Sequence, residues 1–207
     1  GRILRVAQEL NADIIALQEV DFPRQDHAPI APWLAQKTGM IAIGGPVWSR
    51  EGVGYGNALL SRYPVDRVRR WDLSVGRHEP RGALDVELTI CGRTVHVLNT
   101  HLGLWPRERP QQADRLLELL SLSRRDLTIL MGDLNEWHGW GKSLRGLRRV
   151  FGSPAAPVTF PARWPVLALD RIWIFPAQAL LTVEAHDTPR SRLASDHLPV
   201  KADIYLP

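Results

Sequence analysis

Cysteine is almost missing from this chain. Cys91 stands alone among 207 residues, which excludes an internal disulfide framework and suits a reducing compartment. Long apolar runs are missing too: no stretch approaches the roughly 18–20 unbroken apolar residues that a membrane helix needs. No signal peptide is visible, although an export signal would precede Gly1, and a cytoplasmic location is the favoured expectation. Lysine is scarce. Only Lys37, Lys142 and Lys201 occur, so arginine supplies nearly all of the 26 basic residues. Chemical signatures are also missing. There is no HExxH motif for zinc, no Gly-x-Ser-x-Gly elbow for a serine nucleophile, no P-loop and no dinucleotide-binding glycine turn. The stretch Gly52 to Gly56 is only loosely glycine-rich and reads as a hairpin or loop.

Hydrophobic residues make up 44% of the chain and charged residues 23%. That is apolar enough for a sizeable core and excludes an intrinsically disordered chain. The length fits a single domain spanning residues 1–207. The net charge is +4, and basic residues cluster at Arg62, Arg67, Arg69 and Arg70, at Arg145, Arg148 and Arg149, and at Arg190 and Arg192. A modest positive field favours anionic partners without naming one. A solvated basic surface is the favoured explanation of the clusters.

The chain opens with helical spacing at Ile3, Leu4, Val6, Ala7 and Leu10. The β-branched run Ile14 to Leu17 predicts a buried strand, ending where Gln18 and Glu19 appear. A short helix is predicted from Trp33 to Thr38, stopped by Gly39. Strands are predicted at 40–43, 57–60, 68–73 and 83–90, with a turn at Cys91 and Gly92 leading into 94–100. Residues 110–122 read as an amphipathic helix, 127–131 as a buried strand and 142–150 as a short helix. Strands return at 171–175, 180–184 and 200–206. Strands outnumber helices, which argues for a layered α/β or α+β domain.

Five buried runs break abruptly into polar clusters: Gln18 and Glu19; Asn99 to His101; Gly132 to Asn135; Asp170 and Arg171; and Ser195 to His197. Ligands commonly sit at strand ends of open sheets. Each cluster alone has a bland reading as a cap, turn or surface contact. Together, several carboxylates, two histidines and an asparagine suit a hard cation with an attached acid–base system, because Mg²⁺ prefers oxygen ligands.

The order of these motifs resembles the endonuclease/exonuclease/phosphatase superfamily, metal-dependent phosphoesterases related to DNase I. The resembling pieces are Ile14 to Val20 (IIALQEV), Gly56 to Pro64 (GNALLSRYP), Asn99 to Leu102 (NTHL), Gly132 to Asn135 (GDLN), Leu169 to Ile172 (LDRI) and Ser195 to Pro199 (SDHLP). They span nearly the whole chain, and six in order are far more specific than any one. The resemblance implies an α+β, four-layer αββα sandwich of two packed mixed β-sheets flanked by helices. It also implies a first strand ending in a metal-binding Asn, which this sequence lacks, so the domain is expected to be N-terminally incomplete.

Carried over by the resemblance, Glu19 binds the metal and Asp196 lies beside it as a ligand or through water. Asp133 orients or deprotonates the attacking water, with Asn135 holding the phosphate or nucleophile. Asp170 pairs with His197, which contacts the phosphoryl oxygen or acts as base, and His101 lies near the phosphate or leaving group. Asn57 and Arg81 are weaker candidates for substrate contact. A carboxylate bonded to His197 would keep that ring charged at neutral pH, so Asp133 is the favoured water-activating group and His197 its electrostatic partner.

The implied activity is Mg²⁺- or Mn²⁺-dependent hydrolysis of a phosphodiester by in-line attack of water. Basic charge favours a nucleic acid over a lipid substrate. The alternatives are a sphingomyelinase-like phospholipid phosphodiesterase, a phosphomonoesterase, and a catalytically silent anion-binding domain. Tryptophans in apparent loops, Trp137, Trp140 and Trp164, could stack bases or meet lipid. No obligate protein partner is inferred.

Overall fold

The structure is a computed structural model and describes residues 1–22, 29–48, 54–122, 127–139 and 141–206. Helix α1 (Arg2–Leu10) buries Val6, Ala7 and Leu10 and stops at Asn11, whose φ of 43° lies in the left-handed region. Strand β1 (Ile14–Phe22) follows, then α2 (Ile30–Thr38), β2 (Ile41–Trp48), β3 (Gly54–Ser61) and β4 (Val65–Asp72). A hairpin joins β5 (Gly82–Ile90) to β6 (Arg93–His101). Helix α3 (Arg109–Leu122) leads to β7 (Leu127–Asp133), and α4 (Lys142–Phe151) precedes β8 (Asp170–Phe175). The chain closes with β9 (Leu180–Ala185), the short α5 (Ser191–Ala194) and β10 (Val200–Ile204).

Five strands form one sheet in the order β4-β5-β6-β7-β8. It is mixed: β6 and β7 run parallel, whereas β4–β5, β5–β6 and β7–β8 are antiparallel. The parallel pair is joined through α3, because parallel neighbours need a crossover. The facing layer holds the antiparallel group β1-β3-β2 and the pair β10-β9. Three apolar clusters define four layers. Leu84, Val86, Leu88 and Ile90 of β5 meet Ile43, Leu59 and Val200 between the sheets. Leu116, Leu144 and Phe151 of α3 and α4 pack on Leu98, Leu130 and Trp173. Ala7, Leu34 and Ala35 of α1 and α2 pack on Ile15, Ala58 and Leu60. The alternation along β5 thus feeds one core, as strand geometry requires. Among the described residues, no helix is long and apolar enough to cross a membrane.

A cavity of about 520 Å³ lies between the sheets. Ile14, Ile90, Val95 and Ile204 line its apolar stretch, and Gln18 and His197 sit at its polar end.

Two elements depart from the sequence expectation. Strand β1 does not end at Leu17. It continues to Phe22 through a bulge between Leu17 and Val20, since Val20 still has a core site, 4% exposed, to fill. Strand β2 also runs past its expected end at Ile43, through Gly44, Gly45 and Pro46 to Trp48. Pro46 is accommodated because β2 is an edge strand. Gly54 to Gly56 open β3 rather than a loop, while Gly52 and Val53 lie outside the described residues. A Cβ on Gly56 would stand 2.4 Å from the Gly45 carbonyl oxygen of the paired strand.

Gly132 sits in β7 opposite Thr100 with φ +140°, and a Cβ there would lie 1.8 Å from the Thr100 carbonyl oxygen. Gly132→Ala should therefore cost at least the roughly 1–3 kcal/mol of a strained backbone position. Urea unfolding reads this as a lowered midpoint, and a change within about 0.5 kcal/mol would contradict the β6–β7 register.

Candidate functional site

The register of the five-stranded sheet assembles three of the predicted residues. His101 ends β6 and pairs with Asp133 at the end of parallel β7. Antiparallel β8 begins beside them, with Asp170 opposite Asp133. His197 arrives from the segment between α5 and β10. Its Nδ1 lies 2.8 Å from Asp170 Oδ2, and its ring centroid 4.8 Å from that of Phe160. Thr159 Oγ1 donates to the same Asp170 oxygen at 2.5 Å. Asp170 thus accepts from two donors, which fixes the histidine ring from one side while Phe160 packs its face.

Asp133 occupies the centre, 7% exposed. The Asn135 backbone N–H donates to its Oδ1 at 2.8 Å. Its Oδ2 lies 3.6 Å from His101 Nε2 and 4.0 Å from His197 Nε2. The Asn135 amide nitrogen lies 3.0 Å from His101 Nε2 and donates to the Leu102 carbonyl at 2.9 Å. Since that amide is a donor, His101 Nε2 accepts, and the ring is neutral.

Titration follows from these surroundings. Burial, reinforced by the cations Arg81 and His197, pushes His101 down to about 3. Its approach to Asp133 is therefore a contact with a neutral imidazole rather than an ion pair. Burial lowers His197 as well, but the Asp170 hydrogen bond and charge, with Asp133 and Asp196, outweigh it and lift the ring to about 9. Asp133 is raised to about 6 by burial and by the Asp170 charge, against the Asn135 hydrogen bond and the positive His197 and Arg81. Near neutral pH the centre holds a mostly ionised Asp133, a cationic His197 and a neutral His101.

Asn57 and Arg81 flank this centre. A small pocket lined by Tyr55, Asn57, Arg81 and His101 adjoins it. Asn57 is 2% exposed and donates to the Gly82 carbonyl at 2.9 Å. Arg81 bonds the Tyr55 hydroxyl and Glu79, while its buried Nε has no partner.

Glu19 and Asp196 stand apart from the cluster. Among the described residues, the group whose ligand atoms lie within 4.8 Å of one another is Asp133, Asp170 and His197. Glu19 is exposed in the β1 bulge with φ 54°. Its neighbour Gln18 donates to Asn99 Oδ1 at 2.7 Å, and Asn99 Nδ2 donates to the Leu17 and Ala58 carbonyls at 3.1 and 2.8 Å. This amide network ties β1 and β3 to β6 and keeps Glu19 at the same edge. Asp196 is exposed and takes a 3.3 Å hydrogen bond from the Ser195 hydroxyl.

Sequence reasoning missed Thr159 and Phe160. They lie in an irregular loop with no spacing relation to Asp170 or His197, so no local pattern announces them. Gln18 and Asn99 were visible inside their motifs, but not as a brace between sheets.

A centre with two close carboxylates, one of them raised in pKa by burial and by the other's charge, suits a bound cation by its donor chemistry. The comparisons agree. The profile of the Endonuclease/Exonuclease/phosphatase family matches residues 1–197, and the chain belongs to that family. Its members are hydrolytic phosphoesterases that generally use divalent metals. The Escherichia coli (strain K12) protein YbhP, described as uncharacterized, is 32% identical over 217 residues, covering 95% of this chain and 85% of YbhP. The fold is also that of an endonuclease/exonuclease/phosphatase family protein from Leptotrichia buccalis (TM-score 0.79, 15% identity, 99% of this chain and 92% of that one). A Bacteroides thetaiotaomicron protein described as a mannosyl-6-phosphatase shares it too (TM-score 0.78, 17% identity, 99% and 89%), as does the human nocturnin catalytic domain (TM-score 0.71, 19% identity, 99% and 84%).

In the metal-free protein, the His197 ring should titrate near 9 by NMR, and Asp170→Asn should move that value down. Because the folded value is raised above the ordinary histidine value of 6.5, the stabilisation from this proton is complete below that pH and lost as pH rises through about 9. The urea midpoint should fall across that window in the parent and fall less in His197→Gln.

Proposed function

We propose that this single domain is a divalent-metal-dependent phosphodiesterase in which water attacks phosphorus in line. The observation that carries it is the position of Asp133, a carboxyl near pKa 6 between a neutral and a cationic imidazole, at 3.6 and 4.0 Å. A base titrating near working pH is suited to take a proton and hand it on.

Asp133 accepts the proton of the attacking water, and Asn135 holds that water or a phosphoryl oxygen. The phosphorus–oxygen ester bond opposite the attack breaks as the new bond forms. His197, kept cationic by Asp170, faces the charge that develops on the phosphoryl oxygens. His101, neutral, sits toward the leaving oxygen, which takes its proton from solvent. Arg81 and Asn57 contact the substrate beyond the scissile bond. Glu19 and Asp196, from the same edge as the cluster, would hold Mg²⁺ or Mn²⁺. When bound, the cation neutralises phosphoryl charge.

Two candidate positions support this reading through their backbone. Among the described residues, four non-glycine residues have positive φ: Asn11, Glu19, Cys91 and Asn135. Asn11 caps a helix and Cys91 sits in the β5–β6 turn. The other two are the proposed metal ligand and the proposed water-positioning residue. Such strain persists only where surrounding structure enforces it, and it concentrates at functional sites.

The test is hydrolysis of bis(p-nitrophenyl) phosphate, with p-nitrophenyl phosphate as the monoester comparison. Turnover should require Mg²⁺ or Mn²⁺ and stop with EDTA. Asp133→Asn and His197→Ala should each lower kcat by about 10²- to 10⁴-fold, and full turnover in either would overturn these roles. Glu19→Gly should leave the urea midpoint within about 1 kcal/mol of the parent, because glycine relieves the left-handed backbone. It should nevertheless weaken Mn²⁺ binding, measured by calorimetry.

A further inference from the structure

Three tryptophans are exposed among the described residues, and all three lie on loops that leave the candidate site. Trp105 is 62% exposed, four residues after His101; Trp137 is 60% exposed, two after Asn135. Trp164, 78% exposed, is four after Phe160, the residue packed on His197. Their common side follows from the sheet: β6 and β7 end together at His101 and Asp133, and β8 starts there. The Trp164 loop is held to the same edge by the Ala162 N–H, which donates to the Asp196 carbonyl at 2.6 Å.

Aliphatic side chains share these loops. Leu104 and Val166 are 62% and 70% exposed, and Val158 is also exposed. Large apolar groups gathered outward on a soluble surface mark an interaction site. Arg77, Arg107 and Arg163 are exposed beside them, and the nearby acid Glu79 is paired with Arg81. The rim is therefore apolar with positive charge interspersed.

That composition favours lipid over nucleic acid. Tryptophan faces stack on bases, but Leu104, Val158 and Val166 have no such use and gain only by leaving water. A phosphate-tracking groove needs free cations around the site, yet several of the clustered arginines are engaged elsewhere, and Arg145 and Arg149 lie exposed on α4. Arg69 bonds Glu87, Arg70 bonds the Gly44 carbonyl, Arg190 bonds Glu9 and Arg192 bonds Asp187. Tryptophan with aliphatics and a few arginines is what an anionic membrane interface takes up.

We propose that Trp105, Trp137 and Trp164 form an interfacial rim that seats the protein on an anionic lipid surface and offers a phospholipid headgroup phosphodiester to the site. The inference rests on the phosphodiesterase reading above.

Sedimentation with phosphatidylcholine vesicles, with and without phosphatidylglycerol, tests it in EDTA so that docking is read apart from turnover. The protein should bind the anionic vesicles and release as salt rises. Replacing the three tryptophans with alanine should weaken vesicle affinity by at least about tenfold. Leu181→Ser, exposed on β9 beyond the far end of the five-stranded sheet, should leave it unchanged, with circular dichroism confirming that both variants fold. Vesicle binding that survives the triple replacement overturns the proposal. So does a protein that hydrolyses bis(p-nitrophenyl) phosphate but ignores vesicles, a result that leaves the phosphodiesterase reading intact. A rim that instead binds single-stranded DNA, or pairs two copies of the chain in sedimentation velocity, also overturns it. Rim-dependent vesicle binding with no hydrolysis of any diester keeps the docking face and overturns the headgroup substrate.

Discussion

The in-register pairing of β7 with its two neighbours is the constraint on which the rest depends. Parallel β6 sets His101 beside Asp133, and antiparallel β8 sets Asp170 beside the same residue. One strand end thereby gathers side chains from positions 101, 133 and 170. Backbone hydrogen bonds hold that placement, so it needs no ligand. The packing beneath makes it rigid: Leu98, Leu130 and Trp173, all buried, lock the same three strands against α3 and α4. Loops supply only what a sheet cannot, namely the approach of His197 from above.

This rigidity has an electrostatic consequence. Burial first, and then the Asp170 charge that the sheet holds beside it, pushes Asp133 upward. Asp170 is relieved by two donors, Thr159 and His197. Asp133 has a single backbone donor. The asymmetry divides two like groups: Asp170 holds the imidazole in place, and Asp133 is the carboxyl pushed upward. Environment rather than residue type makes that division.

The six motifs made much of this legible in sequence, because each combined a buried run with a polar end. Those runs fix where strands stop, and strand ends are where side chains converge. The four layers were implied by the family resemblance, while periodicity located most elements to within a few residues. Other features were hidden for physical reasons. The bulge that carries Glu19 interrupts the alternation of β1, so a strand that continues looks like one that ends. Strand β2 outruns its expected 40–43 span, because sequence does not say that it is an edge strand able to take Pro46. Thr159 and Phe160 act on residues 10 or more positions away, through space alone.

Charge was the least legible property. A balance of +4 with arginine clusters suggests a surface waiting for polyanions, but a formal count ignores pairing. In the fold, Arg69 lies between Asp85 and Glu87, and Arg62 reaches Asn11 and Asp13. Arg190 and Arg192 close on Glu9 and Asp187. Glu9 lies 181 residues from Arg190 in sequence, a distance no local pattern bridges. What the pairing leaves at the mouth of the site is a thinner field, set among tryptophan and aliphatic side chains. The exposed side chains there include Trp105, Trp137, Trp164, Leu104 and Val166 beside Arg77, Arg107 and Arg163, a mixture that a net charge does not reveal.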